Sequence, residues 1–66
     1  MKYNIKQLRD AKGWTQKELA EKSNVARTLI IGLETGTTKV TTTFTLRKIA
    51  DALGCSVRDL FFTDNV

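Results

Sequence analysis

The stretch TQKELAEKSNVARTLIIGLETG, residues 15–36, reads as two short helices joined by a tight turn. Thr15 followed three residues later by Glu18 is a capping-box pattern, in which each side chain accepts from the other residue's otherwise unpaired backbone N–H. Trp14 before the cap and Leu19 four positions after it form the hydrophobic staple that fixes the angle of entry. Leu19 and Ala20 share one face while Lys17, Glu21 and Lys22 spread over the other, so this helix is half buried. Ser23 and Asn24 interrupt the pattern, and asparagine is the non-glycine residue that enters the left-handed region most readily. Val25, Ile30 and Leu33 then face inward from a second helix, with Gly36 as its C-terminal cap. The opposite surface carries Arg27, Thr28, Ile31 and Gly32, a composition that suits the close approach of a flat partner.

The chain has 66 residues, enough for one domain near the lower limit of independent folding, because a chain this size buries only about 60% of its extended surface. With 41% hydrophobic and 27% charged residues it has the composition of a soluble globular protein and not of a disordered tail. No apolar run approaches the length of a membrane span, and MKYNIKQLRD lacks the apolar core of a signal peptide, so a cytoplasmic location is expected. Cys55 is the only cysteine, which excludes an internal disulfide, and the absence of histidine excludes a Cys/His zinc site. Its expected role is that of a small apolar residue against Leu60.

Eleven Lys and Arg stand against seven Asp and Glu, and the excess is localised. Lys22, Arg27, Lys39, Arg47 and Lys48 face Glu34 alone between positions 22 and 48, whereas the rest of the chain balances. The positive field thus centres on the second helix of the pair and the loop after it, which suits a polyanion. Two helices joined by a three- or four-residue turn are also the geometry that lays the second helix in a DNA major groove.

Elsewhere, Asn4 and Gln7 form a second capping-box pattern with Tyr3 and Leu8 as its staple, and Ile5, Leu8 and Ala11 predict a buried stripe on a helix ended by Gly13. Ala26 gives the third helix a poorer start than Ser or Thr would. Residues 37–43, TTKVTTT, lack helical periodicity and predict a loop. A fourth helix is expected from Thr42 or Thr43, with Leu46, Ile49, Ala50 and Leu53 inward and Gly54 as its stop. Phe44, off that stripe, is expected to fold back over the helix start. A fifth, short helix follows, capped by Ser56 and Asp59 with Leu60 facing the core, leaving no room for a sheet. The expected fold is therefore all-α, a compact five-helix domain spanning residues 1–66.

The segments KGWTQKELAEKSNVARTLIIGLETG and KIADALGCSVRDLF resemble the helix-turn-helix domains of the lambdoid phage repressor and Cro type, the family also called xenobiotic-response-element-like. The resemblance runs from Ile5 to Phe61, and its landmarks are Gln16, Leu19-Ala20, Val25, Ile30, Leu33, Glu34, Gly36 and Lys48-Ile49-Ala50 through Leu53-Gly54. It implies that Gln16, at the start of the second helix, binds a DNA phosphate, with Lys17 adding charge. It implies that Arg27 and Thr28 reach base edges and that Ile31 faces outward one turn on; chemically, Arg27 can span O6 and N7 of a guanine, Thr28 can read a base edge or a phosphate, and Ile31 can pack on a thymine methyl. Thr37, Thr38, Lys39 and Thr41 fall in the loop that lines the DNA backbone in relatives. Arg9 and Glu34 match a structural pair in relatives, so Arg9 is not expected to touch DNA. The indole of Trp14 is of a kind that stacks on bases, but its staple position favours core packing.

Two departures stand out. Gly32 replaces the long polar side chain that many relatives carry near the end of the recognition helix, and the loop after Gly36 is one residue longer than the common pattern. Specificity is then expected to lean on Arg27, Ile31 and DNA shape.

Two functions compete. One is a transcriptional regulator, typically a repressor, that binds a palindromic operator in double-stranded DNA as a homodimer. Phe61 and Phe62 near the C-terminus are the expected dimer contact, since a helix that buries Leu60 cannot hide both. The other is a protein-interaction module, such as an antitoxin or adaptor, motivated by Ile31 and Gly32 on a surface that should be polar. An enzyme is disfavoured, because no catalytic constellation can be assembled without histidine, paired carboxylates or a phosphate-cradling loop. No cofactor, small-molecule ligand or membrane partner is expected, and the family resemblance implies a bacterial or phage-encoded, nucleoid-associated protein. The chain is also too short to include the sensing or cleavage domain of longer repressors, which, unless it is a fragment of a longer protein, leaves concentration, a partner or proteolysis as its expected switch.

Overall fold

The computed structural model describes residues 3–38 and 41–61. Four α-helices follow one another, α1 Ile5–Ala11, α2 Gln16–Ser23, α3 Arg27–Thr35 and α4 Thr43–Leu53, and a single 3-10 turn, Val57–Leu60, ends the described chain. Helix α2 packs against both α3 and α4, α1 packs against α3, and the 3-10 turn packs against α4. The core between them is Ile5, Leu19, Val25, Ile30, Leu33, Leu46, Ile49, Ala50, Leu53 and Leu60. These are the positions that helical periodicity selects, because residues three and four apart share a helix face.

Local chemistry explains most boundaries. Thr15 accepts from the Glu18 N–H at 3.1 Å and Glu18 Oε1 accepts from the Thr15 N–H at 2.7 Å, so the capping box of α2 is closed on both sides. Thr42 caps α4 by accepting from the Thr45 N–H at 3.1 Å. Helix α3 starts at Ala26 with no side-chain cap, as its sequence predicts. It stops at Gly36, whose φ of 89° lies in the left-handed region that a Cβ disfavours.

Four expectations are corrected. The fifth helix is a 3-10 turn of four residues: its Ser56/Asp59 capping box forms, but the backbone becomes extended at Phe61, where Tyr3 and Phe61 make an isolated antiparallel bridge. That bridge is the only strand-like pairing among the described residues, and it ties the first of them to the last. Asn4 does not form a capping box, because its ψ of 23° is not extended and its N–H donates to the Leu60 carbonyl. In α1 the inward face is Ile5 and Arg9, with Leu8 half-buried and Ala11 exposed, since an ion pair draws Arg9 inside. Phe44 does not fold back: it is 69% exposed, with the Lys48 ammonium one turn on standing 5.0 Å from its ring centroid.

Candidate nucleic-acid interface

The turn between α2 and α3 depends on Asn24, which takes φ 59° and ψ 35°, while its N–H and that of Val25 both donate to the Ala20 carbonyl. Val25 then enters the core. Asparagine supplies the left-handed turn without the entropy cost of glycine. The Lys48 ammonium donates to the Asn24 carbonyl at 3.4 Å, fastening α4 to the same turn.

At the start of α2 the side chains of three helices meet. Arg9 Nε donates to Glu34 Oε2 at 2.8 Å and its Nη2 to Oε1 at 3.1 Å, while Nη1 donates to the Trp14 carbonyl at 2.6 Å. The Glu34 side chain is only 3% exposed, so the carboxylate is desolvated and needs these partners. The hydrogen bond to Glu34 raises the Arg9 pKa, outweighing the opposing effect of burial, with Coulombic attraction from Glu34 and Asp10 adding to it. Gln16 Nε2 donates to Glu34 Oε1 at 2.9 Å. Glu34 therefore orients Gln16 and consumes one of its two N–H donors, leaving the second for another acceptor. Arg9 and Glu34 are the structural pair expected of them, and Lys17 beside Gln16 is exposed.

Trp14 packs its indole against the core from the half-buried position its staple pattern predicts. Lys12 and Lys22 stand over the ring at 5.4 and 4.9 Å, contacts that sequence spacing did not disclose.

Helix α3 presents Arg27 and Thr28 exposed on its first turn, and neither side chain has a hydrogen-bond or ion-pair partner among the described residues. Ile31 is half-buried one turn later. Gly32 is not on the exposed surface where the sequence pattern put it. It is buried, because the loop after α3 folds back over it and the Thr38 N–H donates to its carbonyl at 3.0 Å. Thr38 is half-buried there, Thr37 is exposed with its hydroxyl 3.1 Å from that of Thr35, and Thr41 is half-buried. Lys39 and Phe62 lie outside the described residues. Phe61 is half-buried, with its ring centroid 5.2 Å from that of Tyr3.

Residues 5–60 match the helix-turn-helix family HTH_3. The chain belongs to that family. It is a family of DNA-binding transcription regulators and not of enzymes. No curated protein matches the chain. Among solved structures, the chain is similar to one in a complex of the SinR and SinI proteins, with 34% identity and a TM-score of 0.80, the match covering 83% of this chain and 53% of that one. The chain thus spans about half the length of that relative. A structure of SinR, the master regulator for biofilm formation, in complex with DNA matches with the same identity, TM-score and coverage of this chain, and with 87% coverage of its own. A hypothetical transcription factor, NHTF, from Neisseria matches with 30% identity and a TM-score of 0.80 over 92% of this chain and 69% of that one. The HTH_3 assignment agrees with the lambdoid repressor resemblance and with an all-α fold of four helices and a 3-10 turn. No helix among the described residues is long and apolar enough to cross a membrane.

Proposed function

We propose that residues 1–66 act as one domain that binds a palindromic operator in double-stranded DNA as a homodimer and regulates transcription, most simply by repression, in the cytoplasm of a bacterial cell. The observation that carries this reading is the state of Arg27 and Thr28: both are exposed on the first turn of the second helix of a helix-turn-helix, and neither is held by an intramolecular partner among the described residues. In this reading Arg27, Thr28 and Ile31 read bases. Gln16 and Lys17, at the start of α2, and Thr37, Thr38, Lys39 and Thr41 grip the backbone without reading sequence. The SinR structure with DNA, from a relative 34% identical, supports the choice of partner.

The dimer contact is proposed at the C-terminal end of the domain, at Phe61 and Phe62. Phe61 already leans on Tyr3, so a partner at this end would extend an existing aromatic pair. Sedimentation of Phe61→Ala and Phe62→Ala variants tests the location, which is wrong if both variants associate as the parent does.

A second reading, a protein-interaction module, is favoured by the exposed Phe44 and by the half-buried Ile31, and by the SinR/SinI complex of a relative. The burial of Gly32 removes part of its original motivation. Selection of random duplex DNA by the purified protein, followed by titration at two salt concentrations, separates the readings. An inverted repeat with a steep salt dependence supports DNA recognition, since log K falls by about 0.9 per neutralised phosphate for each unit of log salt. Absence of any enriched sequence moves the search to a protein partner.

A further inference from the structure

We infer that Gly32 is a positioning residue: the missing side chain is the seat on which Thr38 rests, and it locks the backbone-gripping loop to the recognition helix. The inference deepens the DNA-binding reading and rests on it. A Cβ at position 32 would lie 2.3 Å from the Thr38 hydroxyl oxygen, 3.0 Å from Thr38 Cβ and 3.5 Å from its backbone nitrogen. The Gly32 carbonyl accepts from the N–H groups of both Gly36 and Thr38, each at 3.0 Å. Thr35 adds a lashing outside these bonds: its hydroxyl donates to the Ile31 carbonyl at 2.9 Å and sits 3.1 Å from the Thr37 hydroxyl. Thr38 is thus fixed to the last turn of α3 by a backbone bond to the Gly32 carbonyl and by a side chain that occupies the space a Cβ at position 32 would take.

Any side chain at position 32 would meet Thr38 at its Cβ and displace it. With glycine there, the base-reading helix and the start of the loop form one rigid body, and the loop meets the phosphates in a pose set by α3. Hydrogen-bond strength falls steeply with distance and angle, so a shifted loop loses its phosphate contacts. Those contacts are blind to sequence, and their loss weakens every duplex alike.

The experiment is a double-mutant cycle of Gly32→Ala and Thr38→Ala, with affinities measured for the selected operator and an unrelated duplex over a range of salt. Thermal melts and hydrogen exchange at the Thr38 amide are recorded on the same four proteins. Alanine is the better helix former, so the substitution is not expected to weaken α3 itself. Gly32→Ala is expected to weaken binding to both duplexes about tenfold, the order of one lost charge-assisted hydrogen bond, with a salt slope shallower by about 0.9. It should also abolish protection of the Thr38 amide. With the hydroxyl removed by Thr38→Ala, the added penalty of Gly32→Ala should shrink below about twofold, because the 2.3 Å contact is gone and the 3.0 Å contact that is left asks position 38 to give by only a few tenths of an ångström. An equal penalty in both backgrounds, a loss confined to the operator with the salt slope kept, or an unprotected Thr38 amide in the parent would each overturn the inference. If the parent binds no duplex at all, the DNA-binding reading fails first and this one with it.

Discussion

Arg9 and Glu34, 25 positions apart, are joined by two hydrogen bonds of 2.8 and 3.1 Å that bind α1 to α3 across the entrance of α2. Their side chains are 10% and 3% exposed, so neither charge has bulk water to fall back on. Removing one partner of a buried pair costs about 3–5 kcal/mol, which is most of the stability a domain of this size has. Glu34→Ala and Arg9→Ala are each expected to be largely unfolded at 25 °C in urea titrations followed by circular dichroism. The double variant Arg9→Met/Glu34→Met should recover much of the loss, because no unpaired charge remains. Recovery absent from the double variant would mean that packing, and not charge pairing, is the function of these side chains.

The unequal caps of the two central helices give a prediction with opposite signs. Thr15→Ala opens one half of a closed capping box and should cost about 1 kcal/mol. Ala26 occupies an N-cap position at φ −58° and ψ 137° without a side-chain acceptor. Ala26→Ser should therefore stabilise the domain by up to about 1 kcal/mol, seen as a higher unfolding midpoint at unchanged slope. Equal midpoints for Ala26→Ser and the parent would show that the first turn of α3 does not admit the cap.

Lys17 and Arg27 are both exposed, yet they are expected to fail differently. Arg27→Ala should lose about 1–3 kcal/mol of preference at one base pair in each half-site while retaining general affinity. Lys17→Ala should weaken all duplexes alike and reduce the salt slope by about 0.9. Base-by-base competition titrations distinguish the two patterns, and a uniform loss in Arg27→Ala would remove that residue from the base-reading set.

Cys55 is half-buried beside the 3-10 turn, where burial pushes its thiol pKa up and Asp59 adds to the rise, against a smaller lowering by Lys12. The folded thiol therefore holds its proton to higher pH than the unfolded one. Whatever stability this contributes is complete below the ordinary thiol value and disappears as pH rises through the folded value. Alkylation rates measured against pH should rise only above the ordinary thiol range, and an inflection near neutrality would point to an activated cysteine instead.

Much of this molecule is legible as pattern because short-range physics sets it. A threonine three residues before a glutamate closes a capping box whatever surrounds it, and the same holds for Ser56 and Asp59. Asn24 could be read as left-handed because few other residues tolerate that conformation, and the apolar stripe of α4 because its period is that of a helix. Local pattern gives way where a distant segment competes for a local group. Asn4 carries a cap-forming side chain, but its N–H goes to Leu60, more than fifty positions away. The last turn has a capping box and an inward Leu60, yet the Tyr3–Phe61 bridge extends the chain before a full α-helix develops.

The candidate interface divides in the same way. The exposure of Arg27, Thr28 and Lys17 beside two helix starts was legible from helical spacing, whereas the DNA contacts proposed for them and for Gln16 rest on the family resemblance. The hold of Glu34 on Gln16, the stacking of Lys12 and Lys22 over Trp14, and the seat that Gly32 offers Thr38 were not legible. The amino-acid sequence by itself determined the four α-helices, the turn between α2 and α3, the core apart from the inward face of α1, and the family, because each follows from spacing along one segment. Only the tertiary structure decided which exposed-looking positions are covered and which donors are already engaged. Those answers depend on segments that meet only after the chain has folded, and no local pattern encodes where a loop comes to rest.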